Sequence, residues 1–289
     1  MERDVTTNWR ESREIGPHSA AFEIAGGSVI GRDHRKSGKP CQDAFAWVCA
    51  RETIAAVVAD GCGSGRYSEV GAQLGARLWT EALSRRLCAG ASVADPVLWR
   101  RTRQDVLAHL RIIAHGMGGS LDAVVSDYLL FTLVGAAITP SSTAVFAIGD
   151  GMVAINGDLD SIDPFPGNQP PYLAYDLLDG MRCDTGTTVR ALMSTAEIDS
   201  ILLATDGAAD LARLASHPVP GRAELVGGLD QFWTSGALFR NPDAMRRRLA
   251  VINREMMSPD WERRHVDRTA GILPDDTTVV AIRRHRESA

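Results

Sequence analysis

At 289 residues and 45% hydrophobic content the chain can bury the core of one large mixed domain, and a formal charge of −5, from 31 Lys+Arg against 36 Asp+Glu, disfavours nucleic acid and membrane surfaces as partners. Residues 1–20 are polar and lack the apolar stretch of a signal peptide, and no later run reaches 18 apolar residues, so a cytoplasmic protein is expected. Five cysteines, Cys41, Cys49, Cys62, Cys88 and Cys183, contain no C-x-x-C pair and are odd in number, which disfavours zinc and a disulfide framework and predicts reduced, mostly buried thiols.

Residues 21–289 read as a single domain. Runs rich in Val, Ile, Phe and Ala at 22–31, 44–50 and 53–60 predict strands, with the loop GRDHRKSGKPCQ between the first two. From Ser68 the period changes: Val70, Leu74, Leu78 and Ala82 recur every four residues, the stripe of a helix to about Cys88. Asp95-Pro96 caps and opens a second helix, with Val106, Leu110, Ile113 and Met117 as its buried stripe and Gly118-Gly119 as its end. The runs 128–138 and 143–149 flank a Thr-Pro-Ser-Ser turn and predict an antiparallel hairpin, which argues against a Rossmann sheet. Residues 156–190 carry Gly, Pro, Asp and Asn with little periodicity and are expected to form a mobile flap. A strand at 200–207 follows, then helical segments near 208–216, 222–233 and 242–257, and a loop entering a last strand over 275–284. Short sets of strands separated by paired helices read as an α+β fold built in layers.

The chemistry is signalled by a repeated ending. IAAVVAD-Gly61, TAVFAIGD-Gly151 and SILLATD-Gly207 each run an apolar strand into an Asp followed by glycine. One such ending is a tight turn; three of them bring costly carboxylates to strand edges, and a shared cation is the simplest compensation. Asp275-Asp276 before TTVVAI and Asp43 before AFAWV complete a set sufficient for a two-metal centre. Carboxylate and carbonyl oxygens without clustered His or Cys match Mg²⁺ or Mn²⁺ better than zinc.

In motif order and spacing across roughly residues 25–285, the chain resembles the metal-dependent type 2C (PPM) serine/threonine protein phosphatases of bacterial type. The residues that carry the resemblance are Gln42-Asp43-Ala44, Val58-Ala59-Asp60-Gly61-Cys62-Gly63-Ser64-Gly65, Thr132, Gly149-Asp150-Gly151, Thr205-Asp206-Gly207, and Asp275-Asp276-Thr277-Thr278 at the family's Asp-Asn-x-Thr. The resemblance implies a central antiparallel β-sandwich flanked by helix pairs, a four-layer αββα arrangement with metals in a cleft at one end. It implies hydrolysis of phosphoserine or phosphothreonine in proteins by a metal-activated water at a binuclear Mn²⁺ or Mg²⁺ centre. By the same resemblance Asp60 bridges both ions, the Gly61 carbonyl binds one, Asp206 and Asp275 bind the other, Asp150 helps to hold a weaker third ion, and Asp43 orients a metal-bound water. The implied partner is a phosphorylated protein, linked to a Ser/Thr kinase, and a monomer is expected.

The sequence departs from the family pattern at several points. Gln42 stands where many members have Glu, and Gly151 where Ser is usual. The segment before Gln42 is long, so the phosphate-clamping base is open among Arg32, His34, Arg35 and Lys39. These departures keep a second reading, a non-catalytic module that binds metal and a phosphorylated partner. Other motifs fail on their own terms: Arg66 occupies the third glycine position of a dinucleotide loop, no Gly-Lys-Ser/Thr forms a P-loop, Ile162 spoils a calcium loop at Asp158-x-Asp160, and Ser64 lacks nucleophile-elbow spacing.

Overall fold

The computed structural model describes residues 21–285 except 164 and 179–185; Cys183 therefore lies outside the described residues. The first half runs β1 (Phe22–Val29), α1 (Arg32–Ser37), β2 (Ala44–Ala50), β3 (Thr53–Ala59), α2 (Ser68–Cys88), α3 (Pro96–Met117), α4 (Leu121–Val124), β4 (Leu133–Ile138) and β5 (Ser142–Ile148). The second half runs β6 (Gly151–Ile155), β7 (Asp158–Ile162), β8 (Thr188–Ser194), β9 (Ser200–Ala204), α5 (Gly207–Arg213), α6 (Gln231–Thr234), α7 (Ala237–Arg240), α8 (Ala244–Ile252), β10 (Met256–Asp260), β11 (His265–Thr269) and β12 (Thr277–Arg284).

Two five-stranded antiparallel sheets, ordered β1-β12-β9-β6-β7 and β2-β3-β4-β5-β8, stack face to face, and β10-β11 form a separate ribbon. Side chains on a strand alternate between faces, and here both faces are buried. Along β3, Ile54, Ala56 and Val58 enter the layer between the sheets, while Ala55, Val57 and Ala59 face α2 and α3. Along β12, Val280 and Ile282 point between the sheets, and Val279 and Ala281 point toward α5–α8. Three apolar interfaces thus separate four layers, in the αββα order implied by the sequence motifs. The helix-side interface is anchored by Phe146, whose ring lies 5.7 Å from that of Trp79 and 4.8 Å from that of Trp99.

Several local expectations need correction. Of the predicted stripe of α2, Ala82 is buried but Val70, Leu74 and Leu78 are only partly so, and most of the buried face is carried by Ala72, Ala76, Trp79 and Leu83, one step round. Small residues let α2 lie close on its sheet, and the larger aliphatics sit at the margins. In α3, Val106 and Leu110 are buried as expected, but Met117 is exposed and the N-terminal half contributes Leu98, Trp99, Thr102 and Arg103. The cap of α3 is as read: Val97 N–H donates to Asp95 Oδ1 at 2.8 Å. The run 128–138 enters β4 only at Leu133, after a π-helical turn over Val125–Leu129. Gly227-Gly228 delay the helix expected at 222–233 until Gln231, and α8 stops at Ile252, where Asn253 turns its amide to Ile30 O and Leu273 N–H.

The expected flap, 156–190, contains more order than its composition conveys. Asn156-Gly157, with φ of 53° and 95°, makes the two-residue turn of the β6–β7 hairpin, for which Asn-Gly is the favoured pair. Leu173, Ala174 and Leu177 are buried, and Arg103 on α3 donates to Asp176 at 2.9 Å. Cys41, Cys49, Cys62 and Cys88 are unpaired, as expected, but each is partly rather than fully buried. Among the described residues no helix is long and apolar enough to cross a membrane.

Candidate metal centre

Antiparallel neighbours place the start of one strand beside the end of the next. In one sheet, Asp275 precedes β12, Asp206 follows β9 and Asp150 precedes β6, and these three strands are adjacent. In the other, Asp43 precedes β2 and Asp60 follows β3, with Ala44 directly opposite Ala59. All five carboxylates therefore leave the sandwich at the same end, which is the structural meaning of the repeated strand-to-Asp ending. They grade from inside outward: Asp43 and Asp150 are buried, Asp60 is half-buried, and Asp206 and Asp275 are exposed.

Backbone contacts hold the carriers in place. Asp60 O accepts from Thr132 N–H at 2.8 Å, and Gly61 N–H donates to Gln42 O at 3.2 Å. Gly207 starts α5 so close to the Asp275-Asp276 turn that a Cβ there would lie 2.0 Å from Asp276 O. Asp43 Oδ2 accepts from the Thr205 hydroxyl at 2.7 Å, and Thr205 Oγ1 in turn accepts from Thr278 N–H at 3.0 Å.

The carboxylates repel one another in a place poor in water. Asp60 is raised well above the ordinary carboxylate range by burial and by the charges of Asp43, Asp206 and Asp275. Burial and Asp276 push Asp43 up to about 8 against the hydrogen bonds of Thr205 and Thr278. Asp206, exposed overall but crowded at its carboxyl, is pushed up to about 6 by loss of water and by Asp275 and Asp150. Asp150 is raised by burial. In addition, Asp43 Oδ1 and Gln42 Oε1 are buried without a hydrogen-bond partner among the described residues. Mutually repelling carboxylates plus orphaned oxygens fit a hard divalent cation: the ion would supply the missing positive charge, and every donor is oxygen.

The predicted basic residues fall differently. Arg32 pairs with Asp33 at 3.1 Å and Arg35 with Glu255 at 3.7 Å, while His34 Nδ1 lies 2.9 Å from Asp276 Oδ2. Only His34 is brought beside the acidic set, within a group in which one atom each of His34, Asp275 and Asp276 lie within 4.8 Å of one another. Lys39 Nζ donates to Gly63 O at 2.7 Å, bracing the loop after Asp60. Two further neighbours border the cleft, of which only Cys62, within the motif after Asp60, was visible in the sequence. Tyr172, buried in the irregular segment, has its phenol pushed up by burial and by Cys62, Asp60 and Asp150, so its hydroxyl borders the cleft. Cys62 is lowered, since hydrogen bonds from Ser64, Tyr172 and nearby backbone outweigh its partial burial.

A sequence family described as protein phosphatase 2C matches residues 30–251. The chain belongs to the protein phosphatase 2C family. The match contains Asp43, Asp60, Asp150 and Asp206, and stops before Asp275. Among solved structures, a bacterial serine phosphatase is similar at 13% identity and a TM-score of 0.51, over 93% of this chain and 100% of that one. A sex determining protein of C. elegans is similar at 13% identity and a TM-score of 0.52, over 92% of this chain and 65% of that one. At these identities the likeness is one of fold, and it is the protein phosphatase 2C fold that both sheets and their helix pairs display. No curated protein matches the chain.

Proposed function

We propose that this protein hydrolyses phosphoserine or phosphothreonine in a protein substrate, using Mn²⁺ or Mg²⁺ held by the carboxylates at the end of the sandwich. The convergence of Asp43, Asp60, Asp206 and Asp275 at one end of the sandwich, where burial and neighbouring carboxylates raise Asp43, Asp60 and Asp206 and one Asp43 oxygen is left without a donor, carries this reading. Membership of the protein phosphatase 2C family supports it.

In this reading Asp60, the Gly61 carbonyl, Asp206 and Asp275 would hold the two ions, with Asp60 shared between them; Asp150, beside Asp206, would help to hold an accessory third ion, and Asp43 would act through water. When bound, the ions supply Lewis acidity to the phosphoryl oxygens and lower the pKa of water for in-line attack. The chain itself sets the orientation. Thr205 and Thr278 fix the Asp43 carboxyl, and the Gln42 and Thr132 backbones fix the loop of Asp60 and Gly61. The phosphate is held by a base from Arg32, His34 and Arg35; the two arginines are engaged only in exposed ion pairs, which a phosphate dianion can displace. The substrate is a phosphorylated protein linked to a Ser/Thr kinase, and the enzyme acts in the cytoplasm as a monomer.

The test is hydrolysis of p-nitrophenyl phosphate with and without Mn²⁺. Turnover that needs Mn²⁺ and disappears in Asp206→Asn is expected; a folded, Mn²⁺-loaded wild-type protein without turnover would instead establish a binding module.

A further inference from the structure

Where the type 2C pattern has Asn, this chain has Asp276, and its surroundings account for the exchange. The side chain is 2% exposed and satisfied by three N–H groups. Oδ1 accepts from Gly31 N–H at 2.6 Å; Oδ2 accepts from Gln42 N–H at 2.5 Å and from His34 Nδ1 at 2.9 Å. An Asn amide could not accept all three, because its NH₂ would face one of these donors. The backbone N–H of Asp276 also donates to Asp275 Oδ1 at 2.8 Å.

We infer that Asp276 is a positioning residue, a hub that ties both ends of segment 31–42 and the His34 ring to the strand carrying Asp275. Three candidate ligand positions hang from it. Asp275 is oriented by its N–H; Asp43 follows Gln42, whose N–H it holds; and Gly61 donates to the carbonyl of the same Gln42. Three N–H donors assign the Asp276 carboxylate to positioning, although it lies beside Asp275 and His34 in a geometry that would admit an ion. The fold does not depend on the hub alone, since Arg32 and Asp33 N–H groups bond Leu273 O and Pro274 O at 2.9 and 3.0 Å.

This assignment rests on the metal-centre reading and deepens it. The test compares wild type, Asp276→Asn, Asp276→Ala, His34→Ala and the Asp276→Asn/His34→Ala double variant by Mn²⁺ titration calorimetry and amide hydrogen exchange, with melting temperature as the control for folding. Outer partners of metal ligands typically change affinity by about 10- to 100-fold. We expect Asp276→Asn to weaken Mn²⁺ binding about tenfold and to speed exchange at Gly31 and Gln42 about tenfold, at a melting temperature near that of wild type. Asp276→Ala should exceed it, and should it not fold, the Asn variant still decides. His34→Ala should act in the same direction but more weakly, and should add little in the Asp276→Asn background. Wild-type Mn²⁺ affinity and wild-type exchange in Asp276→Asn would overturn the hub while leaving the metal centre standing. A wild-type protein that takes up no Mn²⁺ would defeat the centre and this assignment together.

Discussion

The hydroxyl of Thr205 donates to Asp43 Oδ2 at 2.7 Å, joining a residue that follows β9 in one sheet to a residue that precedes β2 in the other. The same oxygen of Thr205 receives Thr278 N–H, so one side chain closes the acidic end of the sandwich. Thr205→Val keeps the shape and removes both bonds, leaving a buried carboxylate oxygen and a buried amide unsatisfied. Each such loss costs about 1–3 kcal/mol. Chemical denaturation of the metal-free protein should register a loss of about 2–6 kcal/mol for the two together, with Thr205→Ser close to wild type.

Replacing a repelled carboxylate has opposite effects on stability and on function. Asp60→Asn removes the charge that burial and three neighbouring carboxylates oppose. The metal-free variant should melt a few degrees above wild type, since about 1 kcal/mol moves the midpoint of a protein of this size by roughly 2–4 °C. It should also lose the thermal shift on adding Mn²⁺, which differential scanning fluorimetry reads directly.

The pH dependence of the metal-free fold follows from the raised acids. A carboxyl titrates near 3.9 in the unfolded chain. Asp206 at about 6 and Asp43 at about 8 therefore retain protons in the native state that the unfolded state has released. The native state binds more protons, so stability falls as pH rises. The contribution is complete below about 4 and is lost through pH 6 and then pH 8. In EDTA these groups should make the melting temperature lower at pH 8.5 than at pH 5.5. Saturating Mn²⁺ should shrink or reverse the difference, because the ion takes the deprotonated ligands. A metal-free melting temperature that climbs steadily from pH 5.5 to 8.5 would count against the crowded cluster.

Away from the centre, Arg103 is 8% exposed and reaches Asp176 through Nε and Nη2 at 3.1 and 2.9 Å, holding the 173–177 turn on α3. Arg103→Ala leaves Asp176 without this partner, and because Asp176 retains some access to water the loss should be about 2–3 kcal/mol, below the figure for a fully buried pair. Urea denaturation measures it, and faster proteolysis within 170–178 should accompany it.

The candidate site's gathering of acidic endings was legible in the sequence because its signal is short-range: an apolar run, then Asp, then Gly, repeated until chance turns become a poor account. Antiparallel pairing then brings those endings to one edge without further information. The role of Asp276 was not legible, because the Gly31 amide it receives lies 245 residues away in sequence. Nor was the buried face of α2, where Ala72 and Ala76 outrank Leu74 and Leu78 for reasons of clearance rather than hydrophobicity. The β6–β7 hairpin does carry its signal in Asn156-Gly157, but the exposed Asp158, Leu159, Asp160 and Ser161 and the prolines that follow conceal the strand beside it. The β10–β11 ribbon is exposed over most of both strands, so its sequence lacks the alternation by which a half-buried strand is recognised.

The most direct test is the release of inorganic phosphate from a phosphoserine peptide by wild-type and Asp60→Asn proteins, each in Mn²⁺ and in EDTA. Release by wild type in Mn²⁺ alone, reduced at least about 100-fold in Asp60→Asn, is the predicted result. Equal release by both proteins, or release that persists in EDTA, would contradict a carboxylate-held metal centre as the seat of the chemistry.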